Sequence, residues 1–544
     1  MRHPLSRLAR SNSGAVAPIV ALSLLGLIAC GGIAFDYSQL ASLDTELQQA
    51  ADQAALAGAT QLNGQTGAIE RATAAAQALL ANETRFANDG SADGRAVTIP
   101  NVVFYETRDD AEADTDGFTD ATRFKEAHFV RVAVTTRAAR YALTPIVGLI
   151  ASPNLAAEAI AGLGSAICKS PPLLICNPDE SGSNSDFDAA AYVGRGIRLI
   201  SVGGGPGGWA PGNFGYLDTG GGSNGVPGLQ EGLGWVTPPG DCLSATGVDT
   251  KPGGNVPATD AINTRFDIYD SNNSCQSGGT CPASINSVKD VVRPANASGN
   301  NACKLHNSGW QEAAAPYRPS SASAYLPTSV TPGAMGHPRD LCHAFDDSCA
   351  KGRIGNAIWD RDAYFRTNYG WTHAQWQSFT GLAENAAKTQ PTRYQVYSWE
   401  IAQRGNIVGG VTVLGPRPPG ATGATRVSYG LPRCSASAGY GSGTVPGPSV
   451  VDRRRISVAV ANCSANGVNG NSEDVPVVRW IEVFLVEPSL ARGGSTATVA
   501  GTNVSRVGTN QGDLYVEVIG ETQSGGAGAT AGQVVKRDVP YLVK

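Results

Sequence analysis

Charge is what this 544-residue chain has little of: Asp, Glu, Lys and Arg make up only 16% of it, against about 25% in an average globular domain. With a net charge of −5 and no basic tail or long basic patch, it lacks the electrostatic footprint of a general nucleic-acid binder. Its one dense basic run, Arg453-Arg454-Arg455, leads straight into the apolar ISVAVA and is expected to start a strand. No C-x-x-C pair occurs, so zinc-ribbon and thioredoxin-type readings lose their main support. H-E-x-x-H is missing, and no repeat at solenoid or propeller periods emerges. The expectation is a non-enzymatic protein with no catalytic residue, metal or cofactor.

Glycine and proline, by contrast, are plentiful, at 67 and 32 residues. Together with the low charge they favour short strands and long connections over helical bundles. The 42% of hydrophobic residues is enough to bury a core, and the length calls for two or three folded units. Of eleven cysteines, Cys30 lies in an apolar segment and ten follow it. An even number downstream of an export-like segment points to disulfides formed in an oxidising compartment. Short separations suggest Cys168 with Cys176, Cys275 with Cys281 and Cys342 with Cys349; Cys434 with Cys463 and Cys242 with Cys303 are longer-range guesses.

The stretch LIACGGIAFDYSQL, residues 27–40, has three readings. Leu27-Ile28-Ala29-Cys30 resembles a lipoprotein processing box, with Cys30 as the lipidated residue. The same residues also suit the end of an uncleaved anchor, or a pilin-like helix that leaves the membrane at Asp36. Residues 15–35 are apolar and follow Arg2, Arg7 and Arg10. At 1.5 Å per residue they reach roughly 31 Å, close to the bilayer's hydrocarbon thickness. The run is long for a cleaved signal peptide, and no clear A-x-A site follows it. A transmembrane anchor is expected, with the arginines on the cytoplasmic side. Beyond Asp36, Leu40, Leu43, Leu47, Ala50, Ala54 and Ala57 recur at helical spacing, and Asn63-Gly64 makes a credible stop. The apolar stripe suits a partner helix, or equally the chain's own domain. One helix from about 15 to 62 would be roughly 70 Å long.

Residues 14–60 resemble the N-terminal segment of TadG-like proteins of the Flp (tight-adherence) pilus system. The resemblance is carried by Gly14 opening the apolar segment, Asp36, the pair Leu47-Gln48 and the block Ala50-Ala51-Asp52-Gln53-Ala54-Ala55-Leu56-Ala57-Gly58-Ala59. It continues more weakly through HFVRVAVTTRAARYALTPIVGL and NLAAEAIAGLG to about residue 165, and recurs over 452–520. It implies a pilus-assembly component whose partners are other assembly proteins and pilin-like subunits, in a single-pass inner-membrane topology. Prepilin-type processing would fall after Gly14, but Ile19 stands where prepilins usually carry glutamate.

The expected fold class is α+β. Its parts are a cytoplasmic N-terminus (1–14), the anchor (15–35), an α+β module (36–165) and a Gly-rich, disulfide-containing, mainly β exported domain (166–544). A helix is expected over 72–83, strands over 96–106 and 128–136, a short helix at TPIVGLIA, and helix again over 362–386. VRWIEVFLVE and DLYVEVIGE read as closing strands. Trp209, Phe214, Tyr216 and Trp235 punctuate the Gly-rich middle; if exposed, such aromatics would suit an adhesin or ligand-binding module, the alternative function.

Three clusters imitate binding sites. Asp179-Glu180-Ser181-Gly182-Ser183 fits the D-x-S-x-S metal motif, although Cys176-Asn177-Pro178 separate it from the preceding apolar run. Glu112, Asp114, Asp116, Gly117 and Asp120 spell the start of an EF-hand loop, but Arg123 occupies the place of the bidentate glutamate. Residues 336–349 gather two histidines, two cysteines and acids, where a Cys342–Cys349 disulfide would remove the thiolates. A polar turn, an acidic solvated loop and a structural bridge are the respective expectations.

Overall fold

Alanine, leucine and glycine without a helix-breaking residue after Pro18 give one uninterrupted 44-residue helix, α1 (Val16–Ala59), about 66 Å long. The computed structural model describes residues 16–62, 66–78, 83–91, 95–124, 126–142, 153–180, 186–201, 213–218, 223, 225–240, 242–244, 247–254, 256–270, 274–417, 425–435, 452–522 and 534–543. The chain divides into two compact units, Met1–Gly164 with Asp538–Lys544, and Ser165–Arg537. Its helices and strands make it an α+β protein.

In the first unit, α1 packs on α2 (Ala68–Ala78). Small side chains make the approach close: a Cβ on Gly58 would sit 3.4 Å from the Ala72 carbonyl oxygen. Antiparallel strands follow, β1 (Asn101–Tyr105) paired with β2 (Phe129–Ala133), and β2 with β3 (Glu158–Cys168). The strand Val534–Leu542, from the far end of the chain, lies beside β3. Alternation sorts the side chains. Val130, Val132, Ala159 and Ala161 face α1 and α2, whereas Phe129 and Ile160 face Tyr105 on the other side of the sheet. The strands expected at 96–106 and 128–136 are thus present in shorter form. The helix expected over 72–83 starts earlier, at Ala68. TPIVGLIA (144–151) and the Asn63-Gly64 stop lie outside the described residues.

The second unit is built on a five-stranded sheet ordered β4 (Leu174–Cys176), β6 (Arg455–Ala461), β7 (Val477–Leu485), β8 (Leu514–Glu521) and β5 (Gly196–Ile200). β4 runs parallel to β6 and the other pairs are antiparallel. Ile456, Val458 and Val460 point into one large core, which takes in Ile481, Val483, Val516 and Phe266. Ala459 and Trp480 pack on the opposite face, so the central strands are buried on both sides. The expected closing strands are β7 and β8. The helical patch expected at 362–386 is two helices, α3 (Arg361–Tyr369) and α4 (His373–Thr380), each ended by a glycine in the left-handed conformation, Gly370 and Gly381. A further helix, α5 (Arg393–Ala402), opens with a Thr392–Gln395 capping box.

Disulfides staple this unit. Cys275–Cys281 and Cys342–Cys349 close local loops as expected. The other guesses need correcting. Cys176 bonds Cys463 and Cys303 bonds Cys434, which excludes Cys168–Cys176, Cys434–Cys463 and Cys242–Cys303. The reason is topological: β4 lies alongside β6, so Cys176 sits opposite Ala461, two residues before Cys463. Cys168 is itself disulfide-bonded, and Cys30 is free and exposed.

Candidate functional site

α1 changes character along its length. Leu22 and Leu27 are 69% and 70% exposed, whereas Leu43 and Leu47 are fully buried. Leu24, Leu25, Ile28, Ile33 and Phe35 are exposed as well, giving an unbroken apolar surface around the N-terminal half. Among the described residues this is one helix long and apolar enough to cross a membrane. Its length and composition make it a candidate membrane anchor.

The switch falls at Asp36. Its carboxylate is buried, and Oδ1 accepts the Ala142 N–H at 2.9 Å. From here the helix is held to the module by polar contacts as well as packing. Gln48 Nε2 donates to the Glu158 carbonyl at 3.1 Å and to Asp52 at 2.9 Å, and Glu46 accepts the Arg85 N–H at 3.0 Å. The stripe Leu43, Leu47, Ala50 and Ala54 is covered by the module's own sheet and α2, together with Ala51, Ala55 and Ala59. Of its two readings, packing against the chain's own domain is therefore the one realised. The buried face is too wide for a narrow coiled-coil seam.

The imitation metal sites are engaged in structural contacts. Asp179 Oδ1 accepts from the Tyr192 hydroxyl at 2.6 Å and pairs with Lys351 at 3.2 Å. Burial pushes its pKa up, but these two partners outweigh that and hold the carboxyl below its usual range. Ser181 and Ser183 lie outside the described residues. In the acidic loop, Glu112 pairs with Arg108 at 2.8 Å, Asp114 with Arg131 at 2.9 Å, and Asp120 caps the turn at Ala121–Arg123. Asp116 takes a left-handed conformation. In 336–349 the disulfide consumes both thiols. His343 is bound at both nitrogens, to the Tyr515 hydroxyl at 2.9 Å and the Gly352 carbonyl at 2.7 Å. No cluster of three or more metal-ligating side chains occurs among the described residues.

What sequence reading missed is the buried polar framework of the second unit. Glu400, fully buried, accepts from Tyr364 at 2.6 Å, Tyr369 at 2.7 Å and Asn286 at 2.6 Å. Burial raises its pKa, and those three donors oppose the rise. Arg393 is equally buried and pairs with Glu517 at 2.8 Å and with Asp340. The basic run leads into a strand as expected, β6 opening at Arg455, and Arg453 and Arg454 just before it are buried. Arg454 Nε donates to the Leu485 carbonyl at 2.9 Å, and its guanidinium stacks 4.5 Å from the Phe266 and Phe484 ring centres. Arg453 reaches the Pro282 carbonyl at 3.1 Å. These groups are enclosed and mutually satisfied, so they hold loops on the sheet rather than face a ligand. The expectation that no G-x-S-x-G elbow occurs is wrong, since Gly221–Gly225 spells the motif. Ser223 Oγ donates to Glu231 at 2.7 Å and its N–H to the same carboxylate at 2.9 Å, which ties that loop to the helix Val226–Gly234. Tyr216, one of the aromatics considered for ligand binding, is fully buried. Trp209 is outside the described residues.

Comparison with known proteins turns on the first unit. Residues 14–61 match the Flp pilus-assembly TadE/G-like family, and residues 57–161 match the Tad-like Flp pilus-assembly family. No curated protein and no solved structure matches the chain. The first match covers α1 and the second its supporting α2 and sheet. Residues 14–161 thus carry the signature of two Flp pilus-assembly families, and these matches support a role in pilus assembly.

Proposed function

We propose that the chain is a non-enzymatic, membrane-anchored component of Flp/Tad-type pilus assembly. Residues 15–35 cross the inner membrane once, with 1–14 cytoplasmic. Residues 36–165 form the module at the membrane, and 166–544 form the exported, disulfide-linked domain. The observation that supports this most is the coincidence of the family matches with a helix exposed and apolar to Phe35 and buried in its own module from Leu43 onward. A rigid helix shared by lipid and folded module transmits force or position between them. Tyr37, 70% exposed, stands where the bilayer interface would fall, a depth favoured by amphipathic aromatics. The partners are other assembly proteins and pilin-like subunits, met through the apolar half of α1 and the exported surface. Because Leu43 and Leu47 are already covered, the soluble half of the stripe is not the contact.

Deletion of the gene in a piliated strain, with complementation, tests the reading. Flp-type pili and tight adherence are expected to disappear and to return with the wild-type copy. Unchanged piliation and adherence in the deletion strain would reject it.

A further inference from the structure

Where the chain leaves β7, at Val486-Glu487-Pro488, the second unit holds a cavity of about 600 Å³ that is partly open to solvent. That is the size of a small-ligand site. Tyr317, Pro319, Met335, Pro338, Val486 and Val507 give it an apolar wall. Most of the charged side chains that line it are already engaged. Lys289 Nζ donates to the Ser287 carbonyl at 3.1 Å and lies 3.9 Å over the Trp310 ring centre. Arg492 holds both oxygens of Asp290, at 2.6 and 2.9 Å. Arg506 is taken up by the Gly493 carbonyl, at 2.8 and 3.2 Å, and by Glu312. Arg339 and Glu487 differ. Arg339 is only 8% exposed, and its Nε and Nη2 both donate to Glu487 Oε1, at 2.8 and 2.6 Å. Among the described residues its Nη1 has no hydrogen-bond partner, and Glu487 Oε2 accepts no hydrogen bond. The Tyr515 ring, 4.9 Å from the guanidinium, backs Arg339 in this position.

We propose that this cavity binds a neutral peptide segment of a partner protein, with one apolar side chain inside and the adjoining amides on Arg339 and Glu487. A peptide carbonyl accepts from Arg339 Nη1, and a peptide N–H donates to Glu487 Oε2. An amide brings one acceptor and one donor, which is what the Arg339–Glu487 pair leaves open. An ionised ligand fits poorly. Glu487 already matches the charge of Arg339, so a carboxylate or ammonium group would give up its hydration and meet no net countercharge. A sugar fits poorly too, because each hydroxyl taken out of water needs a partner that the apolar wall does not supply. The apolar wall selects a side chain of the leucine or methionine kind, whose burial is the main driving force. The peptide site does not rest on the pilus reading, and either can fail without the other.

The test is saturation-transfer NMR on the full-length chain in detergent, with two probes that share a branched carbon frame, N-acetyl-leucine methylamide and isovalerate. The neutral amide is expected to give a signal above that of protein-free micelles, and isovalerate to bind about tenfold more weakly. Val507→Trp, at a half-buried position of the wall, fills the cavity and is expected to abolish the amide signal. Glu487→Gln keeps an oxygen for Arg339 but uncovers its charge, and is expected to shift the preference towards isovalerate. The inference is overturned if the amide gives no signal with wild type, or if Val507→Trp leaves that signal unchanged. It is equally overturned if isovalerate binds wild type as well as the amide does, or if Glu487→Gln leaves the order of the probes as it was. Should Val507→Trp fail to accumulate, Ala344→Met narrows the same cavity and takes its place, with the same results deciding.

Discussion

His343 shows how one buried residue makes the fold's stability depend on pH. Burial lowers its pKa to about 4, against the opposing pull of its hydrogen bond to the Gly352 carbonyl, whereas in an unfolded chain it takes up a proton near 6.5. Between those values the unfolded state binds the extra proton. Its contribution to stability is therefore complete above about 6.5, shrinks as pH falls, and levels off below about 4. At about 1.4 kcal/mol per unit, the window is worth roughly 3 kcal/mol. Denaturant unfolding of the full chain in detergent, followed by tryptophan fluorescence, measures this cleanly, because all eight tryptophans lie between residues 209 and 480. The difference between wild type and His343→Gln is expected to vary across pH 4–6.5 and to be flat above pH 7. None of this was legible in the sequence. A histidine three residues before an acidic pair reads as a ligand or as nothing, and only the fold brings Tyr515 to it. The same holds for Glu400 and Arg393, whose partners lie 31 to 124 residues away. A buried charge gives no local pattern when its partners come from distant segments.

Elements were easier to read than residues, because periodicity is local and α1 repeats over many turns. Its extent as a single helix followed from sequence, and so did the switch at Asp36. What covered the stripe did not follow, since a helix face looks the same whether a partner or its own sheet lies against it. The two halves respond differently to the same substitution. Leu47→Ala removes a fully buried side chain from the module core and is expected to cost about 2–5 kcal/mol, seen as faster limited proteolysis of residues 36–164. Leu22→Ala, on the exposed half, is expected to leave that proteolysis unchanged. The disulfides divide in the same way between local and distant. Local spacing gave the pairs six and seven residues apart, but the pairs 131 and 287 apart depend on strand order. On the chain-entropy account, Cys303→Ser with Cys434→Ser is expected to destabilise the second unit by about 5 kcal/mol, against about 2 kcal/mol for Cys275→Ser with Cys281→Ser. Denaturation midpoints of the two double variants check the order.

At the scale of the whole molecule, one continuous helix has two environments, an exposed apolar half long enough to cross a membrane and a half that forms the spine of a folded module. The family matches fall on that helix and its module, not on the larger disulfide-linked unit. The sequence signal is strongest there too, because membrane length and an Ala-rich block are local features. The Gly-rich unit, whose sheet joins strands from residues 174 to 521, left only its late strands and helices readable. The account requires that residues 16–29 remain part of the mature chain. Mass spectrometry of the N-terminal peptide from membrane-extracted protein measures this directly. The predicted result is a peptide that reaches back through Val16–Ala29, with Cys30 unmodified by lipid. A mature chain that begins at an acylated Cys30 would contradict it, because the apolar half of α1 would be gone and the protein would be held to the membrane by lipid alone.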